Sequence, residues 1–307
     1  MSALRQSLAD YLSLRRSLGY QLERPEKLLG QFLDYLDERG ASTITTDLAL
    51  SWARLPHDAS PLWWAHRLTV VRGFAGYLHV LDEVHEVPPT DVLPWKSHRA
   101  NPFLYTDAEI AALLRAAAML RFPLRVATYR TLIGLLVVTG MRVGEAIDLD
   151  ADDFDNDRGV LLIRKGKGGA TRQLPLHAST TAAVRAYLQR RDRRSTARTT
   201  ALLISPAGTR LLYCNVQWTF QKLLRQAGIE ARSSSCRPRI HDLRHSFAVS
   251  SLLDAYTRDL DIDRRLTLLA TYLGHRSPAG TYWYLSAAPE LLAAALERLD
   301  RTGDGRS

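Results

Sequence analysis

The stretch HDLRHSFA, residues 241–248, opens a segment that predicts an α-helix. Within it His241, Arg244 and His245 stand at positions i, i+3 and i+4, so a helix places all three on one face. An arginine fork beside imidazole N–H groups suits a phosphate oxyanion. Histidines at i and i+4 also occur in zinc sites, but Asp242 is out of register for the glutamate of that motif and no third ligand is evident. We therefore expect no metal site.

A second polar motif, TGMRVGE, lies about a hundred residues earlier, at a transition from a loop to a helix. Arg142 follows Gly140 there, and Glu145 stands three residues further on, which places its carboxylate on the same helical face. Such a carboxylate could orient the guanidinium for use in a site. The alternative is an ordinary surface ion pair, which is common and contributes little.

The stretch RKGKGGATRQLPL, residues 164–176, predicts a β-hairpin around a glycine-rich turn. Its turn presents Lys165, Lys167 and Arg172. Only five of the 41 basic residues are lysines, and two of those five lie in this turn. A lysine ammonium is a compact proton donor whose pKa can be tuned, so the hairpin could serve a phosphate. The alternative is a solvated, charged turn.

The stretch LGHRSPAGTYWYLS, residues 273–286, places His275 before Tyr282, Trp283 and Tyr284. A tyrosine hydroxyl has a pKa of about 10 and becomes a nucleophile only when its proton is removed or its charge is stabilised. Two arginines, two histidines and a lysine around one phosphate would do this, and would stabilise a pentacoordinate transition state. From these residues alone, the tyrosines are either core aromatics or include a nucleophile.

Taken in order, these motifs resemble those of the tyrosine recombinases of the phage integrase family, over nearly the whole chain. TGMRVGEAIDLDADDF is similar to the family's first arginine box, KGKGGATRQLPL to its hairpin with a lysine, and HDLRHSFA to its H-x-x-R box. The family's L-G-H is followed nine residues later by the nucleophilic tyrosine, and this interval selects Tyr284 rather than Tyr282.

The resemblance implies a mainly α fold with a small β-hairpin or sheet element, arranged as a two-domain tyrosine recombinase. Residues 1–95 would form a helical, SAM-like core-binding domain, residues 96–102 a linker, and residues 103–307 an integrase-like catalytic domain. The sequence agrees, because apolar residues at helical spacing fill the first part and four prolines interrupt residues 87–102.

The resemblance also implies a mechanism: the tyrosine attacks a DNA phosphodiester, leaving a 3′-phosphotyrosyl bond and a free 5′-hydroxyl, with no metal, ATP or other cofactor. The implied catalytic residues are Arg142, Lys167, His241, Arg244, His275 and Tyr284. Lys167 would protonate the leaving oxygen and Glu145 would brace the first arginine, while His245 is either a supporting or a core histidine. Two alternatives remain, an inactive DNA-binding protein of the same fold and a type IB topoisomerase.

The overall charge agrees with a polyanionic partner. The formal net charge is +9 and the pI about 9.7, which favours nucleic acid first and an anionic membrane second. No apolar run is long enough to cross a bilayer and the N-terminus has no signal-peptide pattern, so we expect a cytoplasmic protein. The two cysteines, Cys214 and Cys236, form no metal-type motif.

Several basic residues are candidates for contacts with the DNA backbone, the alternative being solvated surface. They are Arg67, Arg72, Lys165, Arg172, Arg190 and Arg193. The implied partners are double-stranded recombination sites and three further copies of the chain in a tetramer on DNA, with a second related recombinase left open. The final helix, residues 289–299, is expected to dock on a neighbouring copy or to fold back on its own domain.

Overall fold

The computed structural model describes residues 3–93, 101–164, 171–192, 198–275, 291–293 and 296. The chain divides into two compact units, Met1–Arg99 and Ala100–Ser307. Both units are mainly helical, and the second also contains a small antiparallel sheet. The predicted fold class, mainly α with a small β element, is confirmed. In the described part of the chain, no helix is long and apolar enough to cross a membrane.

The described part of the first unit contains four helices: α1 (Ala3–Ser17), α2 (Glu23–Asp37), α3 (Thr46–Arg54) and α4 (Pro61–Leu81). Local signals fix where two of them begin, because the hydroxyl of Thr45 accepts from the N–H of Leu48, and that of Ser60 from the N–H of Trp63. The helices bury one shared core around Phe32, in which the largest fully buried side chains are Trp52, Phe32, Phe74, Leu29, Leu33, Leu36, Ile44 and Leu68.

The second unit begins with α5 (Asp107–Ala118), α6 (Pro123–Thr139) and α7 (Val143–Asp148). Thr106 and Glu109 form the predicted capping box at the start of α5. Helix α6 lies inside the unit and is buried on several sides, with Leu132, Ile133, Leu135 and Leu136 all nearly inaccessible. Its burial explains why the sequence of α6 is apolar without a clear polar face.

The sheet follows α7 and has three antiparallel strands in the order β1 (Phe154–Asp155), β2 (Val160–Ile163) and β3 (Arg172–Pro175). Leu161 pairs with Leu174, and both side chains point into the core. Ile163 pairs with Arg172, which is the first residue of β3. The predicted turn, residues 165–170, lies outside the described residues.

Four more helices follow in the second unit: α8 (Ala178–Asp192), α9 (Tyr213–Gln226), α10 (Asp242–Thr257) and α11 (Ile262–Leu273). Helices α10 and α11 share a small apolar cluster. Leu291 packs into this cluster with 1% of its surface exposed, whereas Leu292 and Leu296 are 52% and 61% exposed. At least this leucine of the final segment therefore packs against its own unit.

Candidate active site

The site is built around the end of α6. Gly140 ends this helix with a φ of +59°, a conformation that favours glycine, and its carbonyl accepts an N–H from the Nη1 of Arg244 at 2.9 Å. A Cβ at this position would overlap Cδ1 of Phe247, and would lie 2.9 Å from Cγ of that ring and 3.1 Å from Cδ2 of Leu273. Glycine is required here by both its backbone conformation and its lack of a side chain.

Arg142 stands immediately before α7, and its side chain is held by Glu145. Its Nη1 donates to Oε1 of Glu145 at 2.8 Å, and its backbone N–H donates to Oε2 at 2.9 Å. Its Nη2 donates to the carbonyl of Gly274 at 3.2 Å. The Glu145 side chain is only 5% exposed while that of Arg142 is 23% exposed. The pair is therefore largely buried and differs from an ordinary surface ion pair.

Arg172 reaches the same carboxylate from the sheet. Its Nη1 and Nη2 donate to Oε1 and Oε2 of Glu145 at 3.1 and 2.7 Å, and its Nε donates to the carbonyl of Tyr272 at 2.9 Å. Burial alone would raise the pKa of Glu145, but the N–H donors of Arg172 and Arg142 outweigh it and hold that pKa below its ordinary value. Glu145 is therefore ionised under neutral conditions.

Arg244, in the first turn of α10, is 3% exposed. Besides the carbonyl of Gly140, its guanidinium donates to the carbonyl of Leu273 through Nη2 at 2.7 Å. The same Nη2 lies 2.9 Å from Nε2 of His275. Because an arginine can only donate, this Nε2 is the acceptor and the proton of a neutral ring lies on Nδ1. The buried charge is thus surrounded by oriented acceptors, as a buried ion requires.

His275 follows Gly274, the residue that ends α11 with a φ of +66°. Its backbone N–H donates to the carbonyl of Ala270 at 2.9 Å, which holds His275 against the end of α11. Burial lowers the pKa of His275 to about 4, and the charges of Arg244 and Arg142 contribute to the shift. The ring is neutral at physiological pH and carries one N–H donor.

The HDLRH motif holds the other two histidines. His241 precedes α10, and burial and the charge of Arg244 lower its pKa, so it too is neutral at physiological pH. The His241 and His245 rings meet edge to face with centroids 4.9 Å apart. The first turn is anchored by Asp242, which is fully buried and accepts from Nε and Nη2 of Arg239 at 3.0 and 2.8 Å. Sequence reasoning missed Arg239, although its i, i+3 spacing from Asp242 was a visible signal.

The structure brings four of the six predicted catalytic residues to one place: Arg142, His241, Arg244 and His275. The other two, Lys167 and Tyr284, lie outside the described residues. So do Lys165, Arg193, Tyr282 and Trp283. Among the described residues, no group of three or more His, Cys, Asp or Glu side chains is arranged to hold a metal ion.

The candidate DNA contacts separate into internal and exposed residues. Arg67 is buried, lies over the ring of Trp52 at 3.7 Å and donates to the Trp52 carbonyl at 2.8 Å. Arg72 donates to the carbonyls of Pro88 and Pro89 at 2.6 and 2.5 Å. These contacts argue against the expected role of both residues in binding the DNA phosphate backbone, because each guanidinium group is held by carbonyls of its own unit. Arg172 is likewise internal, whereas Arg190 is exposed at the end of α8.

The chain is similar to known recombinases along its whole length. Residues 104–290 match the phage integrase family. The integrase/recombinase y4rB of Sinorhizobium fredii (strain NBRC 101917 / NGR234) is 42% identical, with all of both chains covered. The tyrosine recombinase XerC of Alcanivorax borkumensis (strain ATCC 700651 / DSM 11573 / NCIMB 13689 / SK2) is 30% identical over 71% of this chain and 66% of its own.

Solved structures show the same fold. The Tn1549 transposon integrase in complex with transposon right end DNA superposes with a TM-score of 0.65 at 15% identity, covering 98% of this chain and all of the other. The XerA recombinase gives a TM-score of 0.53 at 21% identity, covering 95% of this chain and 98% of the other. At these identities the structures support the fold, and the relatives and the family match support the activity. The chain belongs to the phage integrase family and is a tyrosine-type site-specific DNA recombinase.

Proposed function

We propose that this recombinase cuts and rejoins DNA through a covalent 3′-phosphotyrosyl bond to Tyr284. The observation that carries the proposal is the convergence of Arg142, Arg244 and His275: the buried Glu145 holds Arg142, Nη2 of Arg244 lies 2.9 Å from Nε2 of His275, and the charges of both arginines act on the His275 ring. Two permanent cations and an N–H donor held in fixed positions are what a phosphate needs when negative charge builds up on its non-bridging oxygens.

The two arginines differ in their access to DNA. Arg244 is almost fully enclosed by the carbonyls of Gly140 and Leu273, so it supplies a fixed positive field close to the phosphate. Arg142 keeps about a quarter of its side chain exposed, 23%, and offers a surface that a phosphate oxygen can reach. Because an arginine carries five N–H donors, Arg142 can hold Glu145 and still donate to a ligand.

Proton transfers complete the reaction. The Tyr284 oxygen forms a bond to phosphorus as the bond from phosphorus to the 5′-oxygen breaks. The tyrosine proton passes to a base, for which His241 is the candidate because its lowered pKa keeps it neutral and able to accept. Lys167 gives a proton to the departing 5′-oxygen. A 5′-hydroxyl from the partner strand then attacks the phosphotyrosine and restores Tyr284.

Strand exchange requires several copies of the chain. We propose that four copies pair two DNA sites and exchange strands through a Holliday junction, in the cytoplasm. A lambda integrase tetramer bound to a Holliday junction has the same fold, with a TM-score of 0.60 at 18% identity over 92% of this chain. The similarity to a transposon integrase and to y4rB favours a role in a mobile element. A second related recombinase stays open as a partner.

The experiment that tests the proposal uses a nicked duplex carrying candidate core sites from the DNA that flanks the gene. Cleavage near the nick releases a short strand and traps the covalent adduct. Wild-type protein in EDTA is expected to form an adduct that survives denaturation, and Arg244→Lys to form at least a hundredfold less, since lysine cannot reach three acceptors in the guanidinium's geometry.

The matched control is Arg258→Lys, at the far end of the same helix, where the side chain is 69% exposed. This variant should form as much adduct as the wild type. An adduct that needs a divalent metal, or equal adduct from Arg244→Lys, would contradict the proposal.

A further inference from the structure

Arg172 joins three segments of the second unit that are far apart in the sequence. It is the first residue of β3, and its guanidinium contacts Glu145 in α7 and the carbonyl of Tyr272 near the end of α11. It also lies against Gly274, where an added Cβ would approach Nη1 to 3.0 Å. The side chain is 11% exposed, so these contacts are shielded from water.

The Arg172 contact with Glu145 fits the planar fork of arginine. Two nearly parallel N–H groups meet the two carboxylate oxygens at 3.1 and 2.7 Å, while the third donor, Nε, points to the Tyr272 carbonyl. A lysine ammonium cannot make this set of contacts, because it is a single point on a flexible stem. The geometry therefore depends on arginine, and a positive charge alone does not reproduce it.

The same carboxylate holds Arg142, which donates to Oε1 and Oε2 through its side chain and its backbone. Glu145 is thus fixed from two sides, by Arg172 along one edge and by Arg142 along the other. With Arg172 absent, the Glu145 carboxylate would be free to rotate away with its remaining partner. The end of α11 would lose its contact with β3 at the same time.

We propose that Arg172 is a positioning residue of the recombinase: it fixes Glu145, and through Glu145 the side chain of Arg142, in place relative to the end of α11 and His275. This inference rests on the proposed function, since it assigns a role within that site. It replaces the expectation that Arg172 binds the DNA backbone. A positioning role and a backbone contact make different predictions for the salt dependence of DNA binding.

The test measures single-turnover cleavage of the nicked duplex and, separately, non-covalent DNA affinity at several salt concentrations. Arg172→Met should slow cleavage roughly 10- to 100-fold, because a small displacement of a positioned group has an effect of this size. Its salt slope should equal that of the wild type. A direct phosphate contact would instead lower the slope by about 0.9. Arg172→Lys should remain slow despite its charge.

Two further variants separate positioning from a general loss of folding. Gln173→Met changes the next residue of β3, whose side chain is exposed, and should cleave at the wild-type rate. Glu145→Gln with Arg172→Met should be no slower than the slower single variant, because both changes break one linked set of contacts. Each variant is checked by urea unfolding before its rate is measured.

The outcomes are distinguishable. Absence of an adduct with wild-type protein counts against the proposed function itself. If the wild type forms the adduct, the positioning role of Arg172 is overturned by wild-type cleavage in Arg172→Met, by full rescue in Arg172→Lys, by a reduced salt slope, or by effects that multiply in the double variant.

Discussion

Gly140→Ala is the substitution whose cost follows most directly from the geometry. An alanine at a φ of +59° pays about 1–2 kcal/mol for the left-handed backbone. Its Cβ would also overlap the ring of Phe247 and press on Leu273, and overpacking of a filled core costs about 1–3 kcal/mol. The two terms together predict a loss of about 2–5 kcal/mol in the free energy of unfolding.

The assay is urea unfolding followed by circular dichroism, with cleavage of the nicked duplex as a second readout. Cleavage should fall more than the loss of stability accounts for, because a backbone shift that relieves the clash with Phe247 displaces the Gly140 carbonyl that holds Arg244. The matched control is Gly134→Ala in the same helix, where a Cβ meets nothing within 4 Å. This control should stabilise the protein by about 0.5–1 kcal/mol, since alanine replaces glycine in a helix interior.

A loss below about 1 kcal/mol for Gly140→Ala would contradict this prediction, because the left-handed backbone conformation alone costs an alanine at least that much. Equal effects of the Gly140 and Gly134 substitutions would also refute it. Equal losses would mean that the helix tolerates added volume poorly at any position, and that the backbone conformation of Gly140 is not the cause.

Three further predictions concern single residues. The pKa of His275 is lowered to about 4 in the folded protein, so between pH 4 and its ordinary value of 6.5 the unfolded chain binds more protons than the folded one. The free energy of unfolding should therefore fall as the pH drops through this range. His275→Gln should flatten that pH dependence when unfolding by urea is measured at several pH values. Thr106→Ala removes the hydroxyl that begins α5 and should cost about 1 kcal/mol by the same unfolding assay. Arg67→Ala should lower the free energy of unfolding by about 2 kcal/mol, because it loses packing on Trp52 and a hydrogen bond. The salt dependence of DNA binding should stay unchanged, and a lower slope would instead identify Arg67 as a DNA contact.

Local spacing was enough to predict the contacts made within one helix or turn. The i, i+3 interval allowed Glu145 either to orient Arg142 or to form an ordinary surface ion pair with it, and the structure shows a buried contact of 2.8 Å in a capping box at the start of α7. The i, i+4 interval predicted that His241 and His245 share a helix face, and their rings are in contact. Both contacts join residues three or four apart at the start of a helix, a spacing that the sequence states directly.

Contacts between distant segments were not predictable in the same way. Arg172 lies 27 residues from Glu145 and 100 from Tyr272, and only the packing of the sheet against α7 and α11 brings them together. From the sequence alone, the position of Arg172 beside a glycine-rich turn predicts a contact with DNA. Arg67 is a similar case, because nothing local shows that a cation within an apolar helix lies over the ring of Trp52.

The proposed function requires that one tyrosine of the chain becomes covalently joined to DNA, and identifying that residue tests this requirement. The trapped adduct is digested with protease and nuclease, and mass spectrometry locates the tyrosine that carries the nucleotide. We expect the nucleotide on Tyr284, with loss of the adduct in Tyr284→Phe and its retention in Tyr282→Phe. A nucleotide on Tyr282 or on any other residue, or an adduct that persists in Tyr284→Phe, would contradict it.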